Sequence, residues 1–230
     1  NSDLPSAICH PPSAITVTLD TLSDFITAID AIGELARIRE PVRVDLELCE
    51  IADRVMKQPG GGKALLFEQP VLPDGSVSAF PVAINLYGSM KRMALSLGVA
   101  NLDEHGERIT KLLDLKVPQG ILGKLSLLPR LLEVAKFPPR MKSGTPACQE
   151  IVWRGDDIDL RKLQIITCWT DDGGPFITLP MVISRDPKRG IRNVGMYRVQ
   201  YLSKNTVAMH WQRHKVGAAH WREMAERGET

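Results

Sequence analysis

At 230 residues, with 43% hydrophobic and 24% charged positions, the chain has the composition of a globular protein large enough to bury one or two real cores. A formal net charge of +2 offers no field favouring nucleic acid or an anionic membrane surface, and no apolar run approaches the roughly 20 residues that span a bilayer. The first residues lack a basic stretch followed by an apolar one, so no signal peptide is expected; Cys9, Cys49, Cys148 and Cys168 include no CxxC pair and read as reduced thiols of a cytoplasmic protein.

After a proline-containing lead-in to Ala14, Leu22, Phe25, Ile26, Ile29 and Ile32 recur at helical spacing, with Asp20 or Thr21 placed to cap and Gly33 to stop the helix. Leu35 to Val44 reads as a strand broken by Pro41, at an edge or bend. Leu48, Ile51, Ala52, Val55 and Met56 mark a second amphipathic helix that runs into Pro59-Gly60-Gly61-Gly62. That glycine run lacks the spacing and following hydroxyl of a phosphate loop and reads as a turn. Ala64 to Phe67 and Pro81 to Leu86 read as buried strands, and helical patterns return over Ser89 to Leu97, Leu102 to Leu115 and Leu125 to Ala135.

Phe137 to Pro146 is a proline-rich connection, which divides the chain into a mixed α/β unit over 15–138 and a second unit over 146–230. The second unit is strand-like at Gln149 to Trp153, Ile177 to Arg185, Val194 to Leu202 and Val207 to Gln212, with turns at Asp186 to Gly190 and Ser203 to Asn205. Consecutive strands with short turns predict an antiparallel meander or part of a barrel, closed by a helix over Ala218 to Arg227.

Chemistry concentrates between Thr170 and His220. Asn193 and His214 are donors suited to Mn2+ or Mg2+, but two ligands do not close a site, and the residues alone read rather as a turn amide and a surface imidazole at a strand end. Asp171 and Asp172 are adjacent, so an extended backbone points them to opposite faces; they read as turn formers with Gly173 and Gly174. Arg198 is either half-exposed or held for a carboxylate or phosphate. An odd separation puts Asn193 and Arg198 on opposite faces of a regular strand, unless Gly195 hosts a bulge or the strand begins after Asn193. His210, Gln212 and His214 share one parity and hence one face of the next strand.

Asp172-Gly173-Gly174-Pro175-Phe176-Ile177-Thr178, Arg192-Asn193-Val194-Gly195-Met196-Tyr197-Arg198 and His210-Trp211-Gln212-Arg213-His214-Lys215 resemble, in order and spacing, the core signature of the UbiD-like decarboxylases. Leu65-Leu66-Phe67-Glu68 and Asn85-Leu86-Tyr87-Gly88-Ser89 resemble the family's N-terminal region, so the likeness covers nearly the whole chain. It implies an α+β protein: an N-terminal mixed α/β domain, then the first part of a split β-barrel-like, flavin reductase-like cofactor domain, with the family's C-terminal domain lying beyond this chain.

The resemblance further implies reversible, non-oxidative decarboxylation of aromatic or α,β-unsaturated acids with prenylated FMN, Mn2+ (or Mg2+) and often K+, the cofactor coming from a flavin prenyltransferase. Asn193 and His214 become metal ligands. Thr178, Asn193, Met196, Tyr197, Arg198, His210, Trp211, Gln212, Arg213, His214, Lys215 and Val216 line the cofactor or its phosphate, and Arg198 holds the substrate carboxylate. Members often carry Gly-Gly after the basic residue that follows the histidine, whereas Val216 precedes Gly217 here. The family's catalytic glutamates and third metal ligand lie beyond Thr230, so this chain alone is expected to be inactive. The alternative is a non-catalytic cofactor-binding or assembly subunit completed by a separate C-terminal part. Full-length members are expected to form homo-oligomers.

Overall fold

The computed structural model describes residues 19–113 and 143–229. Helix α1 (Leu22–Ala31) begins at Thr21, whose hydroxyl accepts the Asp24 amide while the Asp24 carboxylate accepts the Thr21 amide, a reciprocal capping box. Gly33, at φ 73°, lets the chain turn out of the helix into β1 (Leu35–Ile38). The expected single strand across Pro41 is two: β1 and a two-residue β2 (Val42–Arg43), which joins a different sheet. Helix α2 (Glu47–Met56) buries Leu48 and Ala52.

Strand β3 (Ala64–Phe67) is the centre of the first unit. It runs parallel to β1 and antiparallel to β5 (Val82–Ile84), while β4 (Pro70–Val71) pairs with β2. All four β3 residues are buried because both faces are covered, and so the strand reads as a continuous apolar run. Ala64 and Leu66 pack with Phe25, Ile29 and Leu35 on the α1 side. Leu65 and Phe67 pack with Val42, Leu48, Ala52 and Val82 on the α2 side. Helices α3 (Met90–Ser96) and α4 (Leu102–Leu113) follow; the helical pattern over Leu125 to Ala135 and most of the Phe137 to Pro146 connection lie outside the described residues.

The glycine run is a turn with a structural task. Gly61 and Gly62 adopt φ of 83° and 59°, and their carbonyls accept Asn85 Nδ2 at 2.8 Å and Arg92 Nη1 at 2.9 Å. Arg92 is fully buried and also donates to Leu86 O, Asn85 O and Glu34 Oε2, so one guanidinium ties the loops at 61–62 and 85–86 to α3 and β1. Burial raises the Glu34 carboxyl, but hydrogen bonds from Arg92, Lys91 and Ser89 outweigh it and leave Glu34 below its usual value.

In the second unit Gln149 to Trp153 is not a strand: Ala147–Gln149 forms a single 3-10 turn and irregular chain follows. Strand β6 (Phe176–Ile177) ends before Pro180, β7 (Met181–Arg185) and β8 (Arg192–Met196) form a hairpin, and β9 (Val199–Ser203) and β10 (Thr206–Met209) form another. The two hairpins belong to different sheets, one ordered β10-β9-β6 and the other β7-β8. Among the described residues the strands therefore make two small antiparallel sheets and no closed barrel. Helix α5 (Val216–Glu226) packs against β7 and β8. The two units meet where Thr167 donates to Val44 O at 3.2 Å and accepts from Leu46 N at 3.1 Å.

Candidate functional site

The β7-β8 turn is built by Asp186, whose Oδ1 accepts the amides of Lys188 and Arg189, with Gly190 at φ 68° closing it. Those two amides hold the Asp186 carboxyl below its usual value. The register is unbroken from Arg185↔Arg192 to Met181↔Met196, so Gly195 hosts no bulge and Asn193 lies inside the regular strand. Val182, Ser184, Asn193 and Gly195 sit on the half-buried face towards α5, where Ser184 Oγ is 3.1 Å from His220 Nδ1.

The parity conflict between Asn193 and Arg198 is resolved by topology. Tyr197 and Arg198 belong to neither strand; they carry the chain from the β7-β8 sheet to the β6-β9-β10 sheet. Tyr197 is buried and is the hub of the crossing. Its hydroxyl accepts the Gly217 amide at 2.7 Å and the Asn193 amide at 3.4 Å, and Trp211 packs edge-on to its ring at 5.1 Å. A Cβ at Gly195 would lie 2.6 Å from the Tyr197 ring, and one at Gly217 would lie 2.5 Å from Trp211 and 2.8 Å from Tyr197. The close packing therefore needs Gly217, while the preceding Val216 is half-exposed.

Two motif blocks are thereby locked together. Lys215 Nζ donates to Met196 O at 2.9 Å and lies 5.2 Å from the Tyr197 ring centre, while Gly217 reaches Tyr197 from the first turn of α5. Lys215 itself is the N-cap and its side chain makes no capping hydrogen bond; the Tyr197 hydroxyl takes the Gly217 amide, and no acidic residue occupies the first turn. The basic run Arg213-His214-Lys215 thus enters a helix end whose backbone dipole is positive, an arrangement suited to an anion such as phosphate.

Arg198 is gripped by Asp172, with Nη2 2.6 Å from Oδ2 and Nη1 3.2 Å from Oδ1, and its guanidinium stacks 3.6 Å from the Phe176 ring centre. The Arg198 hydrogen bond holds Asp172 below the usual carboxylate range and raises Arg198 in turn. The Cys168 thiol adds to the raising of Arg198. Burial, the Cys168 thiol and the Asp172 charge push Cys49 up to about 12. Asp172 was expected only to shape a turn; its amide does bond Trp169 O, but its side chain is the partner of Arg198.

Other expected site residues are more dispersed. Strand β10 stops at Met209, so His210, Gln212 and His214 do not share a strand face; His210 donates its amide to Arg198 O, and Gln212, Arg213 and His214 are exposed in the approach to α5. Met196 faces away from Asn193, on the opposite side of β8. Thr178 lines a cavity of about 410 Å³ with Val82, Ile84 and Gln164, and a second cavity of about 500 Å³ lies between Leu72–Ser76 and Asp159–Ile165; neither contains Asn193, Arg198 or His214. Among the described residues no three His, Cys, Asp or Glu side chains cluster as a metal site. Asn193 donates through Nδ2 to Ser184 and Tyr197, which leaves its Oδ1 without a hydrogen bond from either; an amide oxygen and an imidazole are donor types that suit Mn2+ or Mg2+, but two donors do not close a site. Glu223 is paired with Lys188 and Glu229 with Arg227, remote in role from Arg198.

Comparison with known proteins agrees with this architecture. Residues 140–230 match the 3-octaprenyl-4-hydroxybenzoate carboxy-lyase Rift-related domain, and residues 26–112 match the N-terminal domain of the same carboxy-lyase. An uncharacterized protein of Aquifex aeolicus is 44% identical over 200 residues, covering 87% of this chain and 40% of its own length; one of Archaeoglobus fulgidus is 42% identical, covering 91% and 41%. Among solved structures, an evolved dimeric form of the UbiD-class enzyme HmfF from Pelotomaculum thermopropionicum, in complex with prFMN, superposes with a TM-score of 0.65 at 22% identity, over 90% of this chain and 42% of that one. The closed form of Sedimentibacter hydroxybenzoicus vanillic acid decarboxylase gives 0.68 at 21%, over 90% and 40%. At these identities the structural likeness is one of fold. The chain spans about 40% of the length of the relatives it matches. No described helix is long and apolar enough to cross a membrane.

Proposed function

The chain belongs to the UbiD family of carboxy-lyases, and on that premise we propose that it forms the cofactor-binding part of a non-oxidative decarboxylase of aromatic or α,β-unsaturated carboxylic acids. The observation that carries this reading is the docking of the Arg192 to Arg198 block onto the Arg213 to Lys215 turn at the α5 N-terminus, through Lys215 to Met196 O and the Gly217 amide to the Tyr197 hydroxyl.

In this reading the phosphate of prenylated FMN sits at the α5 N-terminus, neutralised by Arg213 and Lys215. Asn193 Oδ1 and the His214 imidazole supply two ligands to Mn2+ or Mg2+ beside it, the remaining ligands coming from outside this set. Tyr197, His210, Trp211, Gln212 and Val216 would border the ring system, whereas the side chains of Met196 and Thr178 face elsewhere in this structure. When bound, the modified flavin supplies the electron sink for departure of CO2. The protein's part is orientation and charge: Arg198, pre-aligned by Asp172 and Phe176, exchanges its carboxylate partner for that of the substrate. The acid that this chain places beside Arg198 is Asp172, which is committed to the ion pair, so residues 1–230 alone are expected to bind but not to decarboxylate.

Native mass spectrometry with an absorption spectrum, after co-expression with a flavin prenyltransferase and Mn2+, tests the reading. A bound mass matching prenylated FMN, lost in Lys215→Glu, supports it. Failure to bind in both residues 1–230 and a form extended to the length of the relatives overturns it. The second reading, a non-catalytic subunit completed by a separate polypeptide, draws on the exposed outer side of β7 and β8, which carries Met181, Ile183, Val194 and Met196.

A further inference from the structure

The cavity of about 500 Å³ is shared by the two units and is lined by none of Asn193, Arg198 and His214. Its walls are Leu72 and the turn after β4 from the first unit, and Leu160, Leu163, Ile165, Pro175 and the Tyr201 ring from the second. Backbone bonds hold these walls in place. Leu72 N donates to Ser76 O at 2.8 Å to close the turn, Leu160 N donates to Lys204 O at 2.8 Å, and Tyr201 N donates to Pro175 O at 2.9 Å. Asp159 caps the single 3-10 turn Leu160–Lys162 by accepting the Arg161 amide. The cavity is thus preformed, and its volume falls within the roughly 300–1,000 Å³ of small-molecule sites.

Its polar groups are unequally committed. Both carboxylates of the lining are spent: Asp74 accepts the amide and the hydroxyl of Ser76, and Asp159 accepts Arg161 Nε at 2.8 Å and Nη2 at 2.9 Å besides the Arg161 amide. The donors are not spent. Nη1 of Arg161 takes no part in that fork, and the Lys162 ammonium rests 5.5 Å from the centre of the Trp153 ring. The Tyr201 hydroxyl has no hydrogen-bond partner among the described residues. An apolar cavity with surplus donors selects an apolar body that carries an acceptor, and a guanidinium beside a phenol favours a carboxylate.

We propose that this cavity binds a small apolar carboxylic acid, its hydrocarbon or aromatic body against Leu72, Leu160, Leu163, Ile165 and Pro175 and its carboxylate at Arg161 and Tyr201. The site is separate from Arg198 and does not depend on the decarboxylase reading. The two are neighbours through β6: Pro175 precedes Phe176, whose ring stacks on the Arg198 guanidinium, so the test must tell an acid in the cavity from one at Arg198.

The test is a titration of this chain with naphthoate, followed residue by residue through backbone amide NMR, with naphthalenemethanol as the uncharged probe of the same rings. Saturable shifts are expected at the amides of 72–76 and 159–165, and the alcohol should bind about tenfold more weakly. Tyr201→Phe, which removes a single oxygen, and Arg161→Met should each weaken naphthoate about fivefold. Leu163→Trp, which fills the cavity, should abolish the shifts; amides of the first unit away from the cavity report whether that variant is folded, and Tyr201→Phe decides if it is not. Shifts confined to 172–178 and 198 would put the acid at Arg198 and overturn the proposal. So would equal affinity for the alcohol, unchanged affinity in both Tyr201→Phe and Arg161→Met, or no saturable shift up to about 10 mM probe.

Discussion

Arg198 and Asp172 face each other across 26 residues of chain as a two-pronged ion pair, with Nη2 2.6 Å from Oδ2 and Nη1 3.2 Å from Oδ1. Because Asp172 is held below its ordinary value of 3.8 by that contact, the pair's contribution to stability is fully present above that value and is lost as pH falls through the depressed one. Carboxyl-carbon NMR should find Asp172 titrating below 3.8 in the native chain and moving up in Arg198→Ala. The difference in unfolding free energy between wild type and Asp172→Asn should narrow below pH 3.8; a constant difference would mean that the pair does not exist in solution.

Tyr197→Phe removes the acceptor of a buried amide at the first turn of α5. Leaving Gly217 N–H unpaired should cost about 1–3 kcal/mol in urea unfolding. Gly217→Ala should cost about the same by forcing a methyl group against Trp211 and Tyr197. Wild-type midpoints in both variants would show that α5 is not anchored on Tyr197.

Arg92 is fully buried and donates to Glu34 and to three carbonyls. Arg92→Met keeps much of the volume but leaves Glu34 and those carbonyls without their donor, at a cost of about 3–5 kcal/mol. Because these contacts define the 61–62 and 85–86 loops, the loss should appear as faster amide exchange there before global unfolding.

Cys49, pushed up to about 12, is almost entirely protonated at pH 8, whereas Cys148 is exposed. Iodoacetamide should modify Cys49 on the order of a hundredfold more slowly than Cys148. Asp172→Asn removes one of the influences that raise Cys49, so that variant should narrow the gap.

Arg198→Ala, made in a form extended to the relatives' length, should lose turnover while retaining most cofactor binding. Unchanged turnover would remove Arg198 from the chemistry.

What could be read from the chain alone is what local physics controls. The periodicity of Phe25, Ile29, Leu48 and Ala52 and the Asp186-Gly190 turn form as read, and of the two cap candidates, Asp20 and Thr21, the structure takes Thr21; each depends on contacts within a few residues. The motif blocks were legible as text, and their order identified the family. Their arrangement was not. That Tyr197 and Arg198 cross between sheets depends on β8 choosing β7 and β9 choosing β6 and β10, pairings set by the whole fold. The role of Asp172 depends on a partner 26 residues away, and alternation could say only that it faces away from Asp171. The exposed face of β7 and β8 that carries Met181, Ile183, Val194 and Met196 was equally invisible. A period of two separates the faces of a strand, but only the position of α5 decides which face is covered, and here it covers the one with Val182, Ser184, Asn193 and Gly195.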